Sequence, residues 1–112
     1  MEKNYRLPKY FAEKWIAALR SGEYEQTQLQ MFDGNKCYCA LGLAAHLCGA
    51  PDDKINGSVS TVSIRLVEYD IPSELKNDRD LPLYLRIMTL NDRDNKSFPE
   101  IADWIEQNVE LY

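Results

Sequence analysis

The sequence predicts an α+β fold: a compact, mainly helical single domain with a small antiparallel hairpin and a C-terminal helix–loop–helix. Three observations lead there. Apolar residues recur at helical spacing near both ends of the chain; an Asp-Gly pair sits between short segments that suit strands; and 112 residues, 45% of them apolar, are enough for one core but not for two. One domain over residues 1–112 is therefore expected.

The first helix is expected over residues 8–21. Pro8 suits a first turn, Phe11, Trp15, Ala18 and Leu19 share one face, and Gly22 stands where a left-handed cap belongs. Residues 28–32 alternate polar and apolar before Asp33-Gly34, and residues 35–39 follow, a pattern that predicts the antiparallel hairpin. Small apolar residues over 40–48 suit a buried helix that Gly49 and Pro51 end. Residues 50–60 are rich in turn formers and read as a loop. Residues 61–69 fit a strand through Val62, Ile64 and Leu66 and fit a helix through Val62, Leu66 and Tyr69. Residues 70–80 are charged and irregular. Leu83, Ile87 and Leu90 predict a helix over 81–91, residues 92–96 a short loop, and Ser97-Phe98-Pro99-Glu100 a capping box. Ile101, Trp104, Ile105 and Val109 form the apolar face of the last helix, and 81–110 reads as one helix–loop–helix.

Charge narrows the choice of partner. The chain holds 18 acidic and 13 basic residues with one histidine, a net charge of −5. Residues 1–67 carry eight Lys/Arg against seven Asp/Glu, whereas residues 68–112 carry five against eleven. No basic face is clustered for displacing counterions from phosphates, so a nucleic-acid polymer is not an expected partner. A small anionic ligand should sit against the N-terminal part, where Arg20, Lys36, Lys54 and Arg65 lie. The uncharged stretch over residues 37–50 falls short of the roughly 20 apolar residues of a membrane span. The first residues lead into an amphipathic segment and not an apolar signal core, so a reducing, cytoplasmic setting is expected.

Metal and catalytic motifs are weak. Cys37, Cys39, His46 and Cys48 form a zinc-like set, but His46 and Cys48 two positions apart on a helix point about 200° from each other. The cysteines read as small buried hydrophobes, and no metal or cofactor is expected. Residues 92–103 depart from a calcium loop at positions 5, 6 and 12, where Lys96, Ser97 and Asp103 stand. His46 lies in an apolar stretch and reads as a packed core residue, and no phosphate-cradling glycine loop is present. The chain is therefore expected not to be an enzyme.

What remains are aromatic and amide residues. Trp15 and Trp104 fall on predicted core faces. Tyr24 and Tyr38 lie in or beside the hairpin region with Lys36, which suits a purine and its phosphate and equally suits rings that close the core. A ligand is expected to contact Tyr24, Lys36 and Tyr38, with Arg65 as a second phosphate partner and Asn91 or Asp92 on a base edge. Helix C-capping is the alternative role for Asn91. Because 112 residues offer little concave volume, a symmetric dimer is expected to complete the cleft.

Three blocks of sequence, residues 15–26 (Trp-Ile-Ala-Ala-Leu-Arg-Ser-Gly-Glu-Tyr-Glu-Gln), residues 37–43 (Cys-Tyr-Cys-Ala-Leu-Gly-Leu), and Leu90-Asn91-Asp92 followed by Ser97-Phe98-Pro99-Glu100-Ile101-Ala102, resemble a widespread group of small tailed-phage proteins. The ordered combination, spanning most of the chain, carries the resemblance. Ala40 stands where many relatives carry a second cysteine, which counts against a metal or redox role tied to a Cys-Cys pair. Some small phage proteins of this kind bind and sequester a host cyclic-nucleotide immune signal without cleaving it. The resemblance implies such a counter-defence role here. The alternative is a protein-interaction module that inhibits a host enzyme through its acidic C-terminal half.

Overall fold

The structure is a computed structural model that describes residues 5–28, 37–49, 51 and 82–112. The Asp33-Gly34 turn, Lys36, most of the 50–60 loop, the ambiguous segment 61–69 with Arg65, and residues 70–80 lie outside the described residues. The fold is α+β and mainly helical, and the radius of gyration of 12.6 Å is that of a compact globule.

Strand β1 (Tyr5–Leu7) precedes helix α1 (Lys9–Ser21). Pro8 caps the helix from an extended conformation, with φ −58° and ψ 132°, because its ring fixes φ at a value that suits the junction. Gly22, at φ 77°, closes the other end in the left-handed region that a Cβ disfavours. Phe11, Ala12, Trp15, Ile16 and Leu19 form the buried stripe of α1. Helix α2 (Ala40–Leu47) is buried along most of its length, and Cys39 caps it by accepting a hydrogen bond from the Gly42 N–H at 3.2 Å.

Helix α3 (Pro82–Asp92) and helix α4 (Phe98–Asn108) make the expected helix–loop–helix. Asn95 turns the chain between them at φ 52°, a conformation asparagine tolerates better than most residues. The capping box is complete. Ser97 Oγ accepts from the Glu100 N–H at 3.3 Å, and Glu100 Oε1 accepts from the Ser97 N–H at 3.1 Å. Donation from the Ser97 N–H, and after it from the Ser97 hydroxyl to the same Oε1 at 3.0 Å, holds the exposed Glu100 carboxyl below its ordinary pKa. Helix α4 packs on α1 in the most extensive contact between any two of the described elements. Leu7, Phe11, Trp15, Leu19, Leu43, Ile87, Ile101, Ile105 and Val109 fill the core they share. Trp15 is fully buried there, and its indole N–H donates to the Ala40 carbonyl at 3.1 Å.

Two expectations are corrected. The strand that pairs with β3 (Cys37–Tyr38) is β2 (Glu25–Gln26), in parallel register Glu25↔Cys37 and Gln26↔Tyr38. The small sheet is therefore not an antiparallel hairpin. Parallel neighbours need a longer return connection than a two-residue turn provides; residues 29–32 of the expected first strand lie outside the described residues. The second correction concerns the C-terminus. Helix α4 ends at Asn108, and Val109 turns to φ −114° and ψ 124° to open strand β4 (Val109–Leu111). This strand pairs in parallel with β1 in register Tyr5↔Val109, Arg6↔Glu110 and Leu7↔Leu111. A β-branched valine followed by alternating residues suits a strand, and a pairing partner a hundred residues away decides the matter. Val109 is buried all the same, now from a strand.

Candidate functional site

Parallel pairing of β2 with β3 carries three rings to one place. Tyr24 immediately precedes β2, Tyr38 ends β3, and His46 lies in the last turn of α2. The Tyr24 and Tyr38 rings meet edge-on with centroids 5.9 Å apart, Tyr24 and His46 edge-on at 5.7 Å, and Tyr38 and His46 at 5.0 Å. The Tyr38 hydroxyl lies 3.3 Å from His46 Nδ1. Tyr38 is buried, whereas Tyr24 and His46 are half-buried and form the outer part of the cluster. Of the two roles expected for the tyrosines, Tyr38 takes the core-closing one, and Tyr24 keeps part of its surface in solvent.

Beneath the rings lies a polar bracket. Asn91 is 2% exposed, yet its carboxamide is fully partnered. Oδ1 accepts from Gln26 Nε2 at 2.8 Å and from the Ala40 N–H at 3.2 Å. Nδ2 donates to the Thr27 carbonyl at 2.9 Å and to Asp92 Oδ1 at 2.7 Å. Four hydrogen bonds exhaust the capacity of a primary amide, so none of it is left for a base edge, and none of the four goes to a carbonyl of α3. Both roles expected for Asn91 thus give way to an internal one. Asp92 is half-buried beside it and already accepts the Asn91 amide. Gln26 Nε2 also donates to the Lys96 carbonyl at 2.7 Å, which ties β2 to the α3–α4 loop.

The structure thus brings together Tyr24 and Tyr38, with Asn91 and Asp92 one layer below. Lys36 and Arg65 fall outside the described residues. Sequence reading missed three participants. His46 reads as a core residue because its neighbours are apolar. Gln26 and Thr27 carry no periodic signal, although Gln26 closes the Trp15-to-Gln26 block.

The cysteines have local partners. The buried Cys39 caps α2, and burial pushes its thiol up to about 11, so it stays protonated near neutral pH. The Cys37 thiol donates to Glu25 Oε2 at 3.4 Å across the β2–β3 pair. Among the described residues no three His, Cys, Asp or Glu side chains converge as a metal site would require. A separate cleft of about 210 Å³ lies between α1 and the end of α2, lined by Tyr10, Phe11, Lys14, Leu47 and Cys48. Lys14 Nζ donates there to the Leu47 carbonyl at 3.1 Å.

Most of the acidic side chains described after residue 90 are engaged within the molecule. Arg20 Nη2 meets Asp103 Oδ1 at 2.5 Å, and Arg20 also pairs with Glu106. Glu110 lies 3.9 Å from Arg6, Glu100 serves the capping box, and Asp92 accepts from Asn91. Of the carboxylates described after residue 90, Asp94 alone has no such contact. Arg20, a cation considered for an anionic ligand, is likewise committed to α4. No helix among the described residues is long and apolar enough to cross a membrane.

Fold and site together define a small, mainly helical α+β domain in which one of two short parallel strand pairs, β2–β3, carries a ring cluster above a buried amide bracket. Residues 8–75 match the model of a family described as a domain of unknown function, DUF8296. That match covers more than half of the chain, and the chain belongs to this family. No curated protein matches the chain, nor does any solved structure. The matched span contains Tyr24, Lys36, Tyr38, His46 and Arg65, while Asn91 and Asp92 lie beyond it.

Proposed function

We propose that this protein acts by binding and not by catalysis, and that it holds a cyclic nucleotide at the outer edge of the Tyr24–Tyr38–His46 cluster. The observation that carries this reading is the cluster itself. Half-buried Tyr24 is met edge-on by Tyr38 and His46, and base–aromatic stacking contributes about 1–3 kcal/mol per base. Lys36, two residues before Tyr38 in the chain, supplies the cation for a phosphate, with Arg65 as the second. The protonated, capped Cys39 supports a binding role over a nucleophilic one.

On this reading the protein is a small phage counter-defence factor that sequesters a host immune signal in the cytoplasm and works as a homodimer, a second copy completing the cleft around the ligand. The competing reading, inhibition of a host enzyme through an acidic surface, loses support because most of the carboxylates described in that half already have partners. A thermal-shift panel of cyclic di- and trinucleotides tests the proposal. Ligand at 100 times its Kd adds about 2.7 kcal/mol and raises the Tm by several degrees. A panel without any shift, together with capture of a defined host enzyme from lysate, would overturn the proposal in favour of the competing one.

A further inference from the structure

Tyr38 and the start of α2 are held from both sides by one side chain. The Thr27 N–H donates to the Tyr38 carbonyl at 2.8 Å, and the Thr27 carbonyl in turn accepts from Asn91 Nδ2 at 2.9 Å. Two residues further on, the Ala40 N–H donates to Asn91 Oδ1 at 3.2 Å. Gln26, the register partner of Tyr38, donates to the same Oδ1 at 2.8 Å. Tyr24 lies two residues before Gln26, and His46 lies in the last turn of the helix that Ala40 opens. Every segment that supplies a ring is therefore anchored, directly or through one residue, to the carboxamide of Asn91.

The neighbourhood explains why an amide stands there. The site presents two donors, Gln26 Nε2 and the Ala40 N–H, and two acceptors, the Thr27 carbonyl and Asp92 Oδ1. Only a group with both capacities in one plane satisfies all four. An aspartate would set a charge against the Thr27 carbonyl and the Asp92 carboxylate, and an alkyl side chain would leave all four groups without this partner. Neither substitution reproduces the arrangement.

We propose that Asn91 is the positioning residue of the ring cluster, setting the relative placement of Tyr24, Tyr38 and His46 through Gln26, Thr27 and Ala40. Its value for ligand binding rests on the function proposed above, but its effect on the rings does not. Asn91, which lies on α3, makes the Leu90-Asn91-Asp92 block a remote part of a site built otherwise from the first half of the chain. The bracket also gives Asp92 a role: its carboxylate fixes which way the Asn91 amide faces.

The test uses the full chain and four variants: Asn91→Ala, Gln26→Ala, Asp92→Ala and, as a control for general loss of stability, Ser97→Ala. Aromatic ring signals of Tyr24, Tyr38 and His46 are recorded by NMR on the free proteins. Binding of cyclic di-AMP, or of whichever cyclic nucleotide shifts the parent most, is measured by calorimetry. Positioning by Asn91 requires that Gln26→Ala and Asp92→Ala move or broaden the ring signals and raise the Kd at least tenfold, while Ser97→Ala does neither. Ring signals that stay in place in both milder variants would overturn it, and so would a Kd change no larger than the control's. Should Asn91→Ala fail to fold, those two variants decide. Should the parent bind no cyclic nucleotide, the proposed function fails, and the ring signals alone decide the positioning role.

Discussion

The seam between α1 and α4 and the junction of β2, β3 and α2 hold the same small protein together by opposite means. The seam is apolar. Phe11, Trp15, Leu19, Ile101 and Ile105 are buried in one cluster, and any one of them contributes through many weak contacts. The junction is polar beneath and aromatic above, with one amide making four hydrogen bonds between elements far apart in sequence. A seam of this kind tolerates neighbours of similar shape. The junction demands donor against acceptor at each position, so its geometry is set more narrowly, and a binding surface benefits from that narrowness.

This contrast can be broken at several points, the first with the largest effect. Trp15→Ala removes a fully buried indole and the hydrogen bond to the Ala40 carbonyl, and should cost about 3–5 kcal/mol in urea denaturation. Trp15→Phe should recover most of the volume but not the hydrogen bond. Because that bond reaches the first residue of α2, the phenylalanine variant should also disturb the ring signals of the junction slightly.

Asn91→Leu keeps the volume and discards the four hydrogen bonds. Leaving buried partners unsatisfied should cost on the order of 3 kcal/mol, comparable to a core truncation although no cavity is made. A loss below about 0.5 kcal/mol, the range of ordinary surface changes, would show the junction to be no more demanding than the seam.

Smaller effects sit at the helix ends. Ser97→Ala removes the cap of α4 and should cost about 1 kcal/mol. The same capping box predicts a pH dependence. Glu100 is held below its ordinary pKa in the folded state, so the stability it contributes is present above the unfolded value of 4.5 and is lost as pH falls through the lower folded value. In Ser97→Ala this acid-side loss should shrink, measurable as a smaller difference in Tm between pH 6 and pH 3. Least of all, Arg20→Ala should lower the Tm only slightly, and the difference should narrow further at high salt, since the pairs with Asp103 and Glu106 are exposed.

The two regions also differ in how legible they are. Phe11, Trp15, Leu83, Ile87, Leu90, Ile101 and Ile105 repeat at helical spacing, and the helices they announce are present within a residue or two. Ser97 and Glu100 announce their capping box as directly. Local chemistry suffices for such features. The junction depends on pairings that no local pattern encodes. Asp33-Gly34 between alternating segments suggests an antiparallel hairpin, yet Glu25–Gln26 is the segment that pairs with Cys37–Tyr38, and the pairing is parallel. Val109 continues the helical stripe of α4 by spacing, but β1 at the other end of the chain takes it into a strand. Asn91 has the amide a ligand contact needs, and nothing nearby in sequence reveals that Gln26, Thr27 and Ala40 already engage it. Tyr24 and Tyr38 are legible as a pair because both are aromatic and lie in or beside the expected hairpin region with Lys36; His46, with alanine and leucine as its neighbours, is not.

The most direct test of the proposed binding role is a two-dimensional amide NMR titration of the isotope-labelled chain with the cyclic nucleotide that most raises its Tm. Saturable shifts should be largest at residues 24–27 and 36–46, with the α1–α4 seam nearly still, and Tyr24→Ala or Lys36→Glu should abolish them. No saturable shift with any cyclic nucleotide, or shifts centred on the α1–α4 seam and unchanged in both variants, would contradict it.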